Sequence, residues 1–419
     1  MAVTSPKTLS TGVRAFRDSL HLLFSRRFGT FWFASLLSSI GTWAQQVAEP
    51  WLLLTLGASP FLIGLDSFVM DAPAWLLTFA GGALADRGDR RRVITVFQSI
   101  QMLCPAALVV LVLAHIVRPW MIVGLSVIVG LTDALSMPSF QSIVPSIVTR
   151  DQVGQALALN STQFNISRIV GPAIAGLLIS AVGVTACFAV NTASYVPLIG
   201  VALWILPRTV RQVTTTPVRQ PLSGARGILG QRHLRGALLT VFTTGLFCSP
   251  LITFIPVLVR TAFGAGSTSF SVALVAFGGG GLLGATALLA VPKEVNSRRM
   301  SSGFAFVLAS LVSATAVNRR AWALPILLFA SGASITMSNT MANTLIQRTA
   351  PQALLGRSVS LYMLALRGGG AFGALLTGIA VSRLGVRQAL LWDGLLAAVL
   401  HAAIARSWLA QPLPAEVVS

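Results

Sequence analysis

Apolar runs of about twenty residues recur along this chain, separated by short loops that carry its charges, and no other feature limits the fold as strongly. Only 10% of the 419 residues are charged, and mean hydropathy is +0.79. An ordinary water-soluble domain carries about 25% charged residues. Each run can cross ~30 Å of hydrocarbon at about 1.5 Å per residue. Backbone groups in hydrocarbon need internal partners, so runs of this length span as helices. The pattern predicts an all-α integral membrane protein with twelve spans. They are placed at 28–56, 61–85, 93–117, 119–140, 157–181, 184–206, 236–259, 268–292, 301–317, 321–340, 358–382 and 388–408.

The loops set the orientation. Between the second and third runs, Asp86 to Arg92 packs four arginines and two aspartates into seven positions, too dense a charge to lie in hydrocarbon. Lys and Arg mark the cytoplasmic side. With the N-terminus inside, 22 of the 30 Lys and Arg fall in cytoplasmic segments and 6 in outer loops, leaving Arg168 and Arg367 within spans. Both termini are therefore expected in the cytoplasm of a bacterial cell, with the chain in its plasma (inner) membrane. The first 27 residues are polar and basic, so no cleavable signal peptide is expected. The net charge of +19 is spread over loops along the whole chain, which argues against a nucleic-acid surface.

The longest polar gap, 207–235, divides the spans six and six. It reads as a cytoplasmic linker between an N-terminal bundle, 28–206, and a C-terminal bundle, 236–408, with tails at 1–27 and 409–419. A short amphipathic piece, Leu222 to Leu234, could lie on the membrane surface. The halves match weakly at an offset of 199. Arg168 aligns with Arg367, Gly171 with Gly370, Ala175 with Ala374 and Leu177 with Leu376, in the fifth and eleventh spans. Parallel six-helix repeats with pseudo-two-fold symmetry and a midplane site build one large transporter class. A fainter echo sets Glu294, Arg298 and Arg299 at the spacing of Asp86, Arg90 and Arg91.

An ionisable side chain at span depth is costly unless paired or hydrated, so each one is a functional candidate. Glu49 and Asp66 lie about 10 Å below the outer surface on consecutive spans. Thr42, Gln45 or Gln46, and Glu49 share one helical face, expected to look into a central cavity. Two carboxylates at one depth repel when both are ionised, which suits a proton carrier. The alternative is a solvated outer vestibule where both are inert. Asp71, near mid-depth, is a proton or substrate group or else a structural hydrogen-bond partner. Arg168 shares a face with Ser161 and Asn165, and its reach allows a pair with Asp133 of the fourth span, either functional or simply structural. Arg367 finds no acid in the tenth span. An unpaired arginine there would favour an anionic or oxygen-rich substrate.

Taken together, these features resemble the major facilitator superfamily over nearly the whole chain. Gly82-Ala83-Leu84-Ala85-Asp86-Arg87-Gly88-Asp89-Arg90-Arg91-Arg92 is similar to its signature loop between helices two and three, with Asp89 where glycine is commoner. That variant resembles the branch containing bacterial enterobactin exporters and macrolide efflux pumps. Gly41-Thr42-Trp43-Ala44-Gln45, Asn160 with Asn165, Arg168 and Gly171-Pro172, and Phe188 with Asn191, Ser194 and Tyr195 resemble its first, fifth and sixth helices. The resemblance implies a gating loop at Gly82, Asp86, Arg87, Arg90 and Arg91, and its Gly-Pro element is associated with exporters that exchange cargo for protons.

Other signals are discounted. Gly279, Gly281 and Gly284 fit a G-x-G-x-x-G pattern but follow no strand, and Gly280 with Gly284 reads better as close helix packing. Cys104, Cys187 and Cys248 show no metal spacing, and His401 reads as a packed neutral side chain. No Walker loop and no nucleophile–base pair occurs, so neither ATP nor enzymatic chemistry is expected. No cofactor is expected. The expected partners are a small-molecule substrate, protons and lipid, bound by a monomer. The leading function is proton-coupled export. Its rivals are an importer or uniporter on the same scaffold, or a non-transporting sensor.

Overall fold

A computed structural model describes residues 21–75, 77, 89–206, 227–292, 295–350 and 354–409, and among them all regular structure is helical. The helices are α1 (Phe28–Thr55), α2 (Pro60–Asp71), α3 (Arg90–Leu113), α4 (Pro119–Ile143), α5 (Val153–Ala181) and α6 (Val184–Trp204). The second set begins with α7, where Arg232–Phe247, Pro250–Val257 and a π-turn at Leu258–Ala262 run on as one segment. It continues with α8 (Ser267–Leu289), α9 (Ser297–Val317), α10 (Ala323–Thr349), α11 (Leu355–Leu384) and α12 (Val386–Leu409). Of the gating-loop residues, Gly82, Asp86 and Arg87 lie outside the described residues, as does Glu294.

Local chemistry explains the starts. Ser59 caps α2 ahead of Pro60 and accepts from Leu62 N. Asp89 caps α3 through Arg91 N at 3.1 Å, and Asn296 caps α9 through Arg298 N and Arg299 N. The equivalent caps are 207 residues apart, so Arg298 answers to Arg91 rather than to Arg90, one residue off the expected register.

Nine of the described helices are long and apolar enough to cross a membrane. The other three are α1, α2 and α10. Polar residues break the apolar character of α1 at Ser38, Thr42, Gln45, Gln46 and Glu49, and of α10 at Ser331, Ser334, Ser338 and Asn339. The described part of α2 is 12 residues.

Packing repeats from one set to the next. α1 packs on α5 and α6, α3 on α4 and α6, and α2 on α4. Six elements later, α7 packs on α11 and α12, α9 on α10 and α12, and α8 on α10. The two sets meet through a swapped pair of contacts, α2 with α11 and α5 with α8. Gly64 makes the first of these close. A Cβ there would lie 2.3 Å from Ala374 O, and one at Gly378 would lie 2.9 Å from Pro60 O. Gly280 packs as expected, its absent Cβ leaving room for Phe329 O of α10.

The apolar core is not uniform along the molecule. At the end holding the α1–α2 turn, one cluster draws residues from every helix, including Trp51, Ile63, Phe254, Phe270, Leu328 and Leu390. Trp51 stacks on Phe270 at 4.6 Å, Arg260 donates to Leu54 O, and Phe61 N donates to Ser382 Oγ, all between the sets. At the opposite end the core is two separate clusters. One holds Phe28, Phe31, Ile94, Ile143 and Leu198 of the first set, the other Leu234, Val241, Leu345, Tyr362 and Trp408 of the second. The sets are thus joined at one end and hold separate cores at the other. Ile228 and Leu234, in the amphipathic piece, are fully buried in the second of these clusters, while Leu222 lies outside the described residues.

Candidate functional site: a charged centre between the two helix sets

Arg367 of α11 reaches across to the first set. Its Nη1 donates to Asp133 Oδ2 of α4 at 2.5 Å and lies 3.9 Å from Asp71 Oδ1 of α2. The three side chains retain 25–33% exposure, so the cluster is partly open rather than sealed. Asp133 therefore pairs with Arg367 and not with Arg168, and Arg367 is not the unpaired arginine the sequence suggested. α4 sits against α2, and α11 sits against α2 as well, so the two acids converge on one guanidinium. The aromatic surface beside them also crosses between the sets, Phe68 and Trp75 each meeting Phe372 edge-on.

Arg168 of α5 has a different setting. Its guanidinium lies 6.0 Å from the centroid of Trp43, and Trp43 meets Phe164 edge-on at 6.0 Å. Tyr362 of α11 lies close enough to interact with its charge. No carboxylate among the described residues comes within 4.0 Å of it. Asn165, one turn away, is exposed and donates to Ser161 O.

Glu49 and Asp66 are buried, at 3% and 2% exposure, rather than in a solvated vestibule. Glu49 accepts from Gln45 Nε2 at 2.7 Å, and Gln45 Oε1 accepts from Asn191 Nδ2 at 2.6 Å. Asp66 lies beside Glu49 and near Ser126 of α4, and its Oδ1 has no hydrogen-bond partner. The α1 polar face thus turns into the interior of the first set, not into a wide central cavity. Thr42, Gln45 and Gln46 line a chamber of about 10 Å³, room for about one water, together with Met70, Gln101, Asn191 and Tyr195. Gln46 donates to Met70 Sδ. Of the loop residues, Arg90 donates to Ser142 O at the end of α4, and Arg91 N is held by the Asp89 cap.

Residues 19–416 match the family described as transmembrane secretion effector, a branch of the major facilitator superfamily. The chain belongs to this family. Its relatives include the staphyloferrin A transporter of Staphylococcus aureus, 26% identical over 67% of this chain and 72% of that one. The enterobactin exporter EntS of Shigella boydii is 25% identical over 84% of both chains. A bacterial homologue of the lysosomal transporter Spinster, solved inward-facing and unoccupied, superposes with a TM-score of 0.67. It is 15% identical over 93% of this chain and 98% of that one, a likeness of fold. Family membership and these relatives make the protein a membrane transporter, not an enzyme, with efflux proteins among its kin. It is a multi-pass protein of the bacterial inner membrane.

Three features escaped the sequence reading: Tyr362 beside Arg168, the Gln101 and Asn191 walls of the small chamber, and the pairing of Arg367 across the sets. The last left one trace. α8 and α10, the repeat partners of α2 and α4, contain no acidic residue, so the acids at Asp71 and Asp133 have no counterpart in the half that carries Arg367.

Proposed function

We propose that this protein is a secondary active exporter that moves a small organic molecule out of the cytoplasm in exchange for protons. In this reading twelve spans form two six-helix bundles, 28–206 and 236–408, joined by the 207–235 linker, with both termini cytoplasmic. The joined end is then the outer face, and the end with two separate cores opens to the cytoplasm. The observation that carries the reading is the bridge from Arg367 to Asp133 and Asp71 at the meeting of the halves.

Two carboxylates face one guanidinium, so the cluster has one acid in excess and can take up one proton without losing all its attraction. Asp71, the more distant acid, is the group we assign to the proton. A proton arriving from outside neutralises Asp71 and leaves Arg367 held by Asp133 alone, which loosens α2 from α11 and favours opening outward. Its release to the cytoplasm restores the two-acid grip and the closed outer end. Glu49 and Asp66, buried behind the Gln45–Asn191 network, are a second proton store within the N-terminal bundle. Asn165 and Arg168 are the cargo-side candidates, and the loop from Gly82 to Arg91 gates the cytoplasmic end.

An extrusion screen of a deletion strain against siderophores and drugs supplies the cargo. Adding that cargo to acid-loaded inside-out vesicles should then release protons, and Asp71→Asn should abolish the release. Undiminished release in that variant removes Asp71 from the mechanism.

A further inference from the structure

We propose that Arg168, with Trp43 and Phe164, forms an anion-binding cradle, and that the cargo is an organic anion with a flat, unsaturated body. The inference rests on the transporter reading above and adds the charge and shape of what is carried.

Five intramembrane acids in the described residues could neutralise Arg168, and none does. Asp71 and Asp133 are taken by Arg367. Glu49 accepts from Gln45, and Asp66 is buried beside Glu49 and Ser126. Asp393, in the C-terminal half, accepts from Thr377. The helices that approach Arg168 from the other half add no acid, since α8 and α11 contain none. Arg168 itself is half-buried, on the face of α5 that meets α1, with Tyr362 approaching from α11. A cation held at the meeting of two bundles without a counter-charge is costly in the empty site and favours an anion in the filled one. Its planar fork fits a carboxylate through two hydrogen bonds. The adjoining partners are aromatic rather than polar. Trp43 presents its face to the guanidinium, and Phe164 meets Trp43 edge-on, so the neighbouring space favours a flat ring over a bulky saturated chain. Gly171 makes the cradle: a Cβ there would stand 2.4 Å from Trp43 Cβ, so only glycine lets α5 bring Arg168 over the ring.

A matched pair of probes tests this without knowing the cargo: salicylate, an aromatic anion, and tryptamine, an aromatic cation. Equilibrium dialysis against the full-length protein in lipid nanodiscs should show salicylate bound more tightly than tryptamine. Arg168→Gln should weaken salicylate at least tenfold and leave tryptamine unchanged, while Arg168→Lys should stay within a few-fold of wild type. The lysine variant also covers the case in which the glutamine variant fails to fold. Salicylate that does not bind wild type, or that binds Arg168→Gln equally well, overturns the proposal, as does preference for tryptamine. The readout is binding alone. Arg168-dependent binding without proton-linked flux would sink the exporter reading and keep the cradle. Export of a cation would do the reverse.

Discussion

Arg168 and Arg367 occupy matching places in the two halves, on α5 and α11, yet live in opposite surroundings. Arg367 is gripped by two carboxylates from the other half, and Arg168 meets a tryptophan, a tyrosine and no acid. The repeat delivered the same cation to both positions; the acids on α2 and α4 were not matched on α8 and α10. In the proposed reading one arginine holds the halves together and senses a proton, while the other receives a guest.

Arg367→Gln should give the largest effect. Removing one partner from a fully buried ion pair costs about 3–5 kcal/mol. With side chains a quarter to a third exposed, we expect roughly half of that, together with loss of transport to background in vesicles. Asp71→Asn should leave the fold intact, because its contact with Arg367 is 3.9 Å against 2.5 Å for Asp133. It should shift the protein toward an open outer end. Spin labels at Ile116, on the α3–α4 connection, and Val317, the last residue of α9, both exposed at the joined end, should move apart in pulsed EPR, and an unchanged distance would detach Asp71 from gating. Asp133→Asn should reduce stability more than Asp71→Asn in thermal denaturation, and equal losses would mean the two acids are interchangeable. Trp43→Leu should give the smallest effect. The loss of ~0.5–1 kcal/mol of cation–π attraction predicts a two- to fivefold weaker salicylate affinity with no change in proton release.

Helix positions were legible from apolar run length, which is why the expected and observed boundaries agree closely in α1, α6 and α9. Two helix ends ran longer than hydropathy suggested. α10 continues to Thr349 and α5 begins at Val153, because helices project polar turns beyond the hydrocarbon where hydropathy falls. Both intramembrane arginines were visible as rare charges, and the repeat tied them together. Their partners were not visible, since pairing by depth favoured helices within one half, and only the α2–α11 contact reveals that the nearest acids to Arg367 lie across the divide. The α1 polar face was recognised as a face, but periodicity cannot say whether α6 or an open cavity covers it. Asn191 decided that by bonding Gln45.

The joined and separated ends give this contrast its setting, since a lock at Arg367 matters only if the halves can part. The sharpest test compares the thermal unfolding of Arg367→Gln and Arg168→Gln in nanodiscs without cargo. Unequal roles predict that Arg367→Gln unfolds several degrees below wild type, while Arg168→Gln unfolds at or above it because an unneutralised charge has been removed. Equal losses in the two variants, or a larger loss at Arg168, would contradict the account.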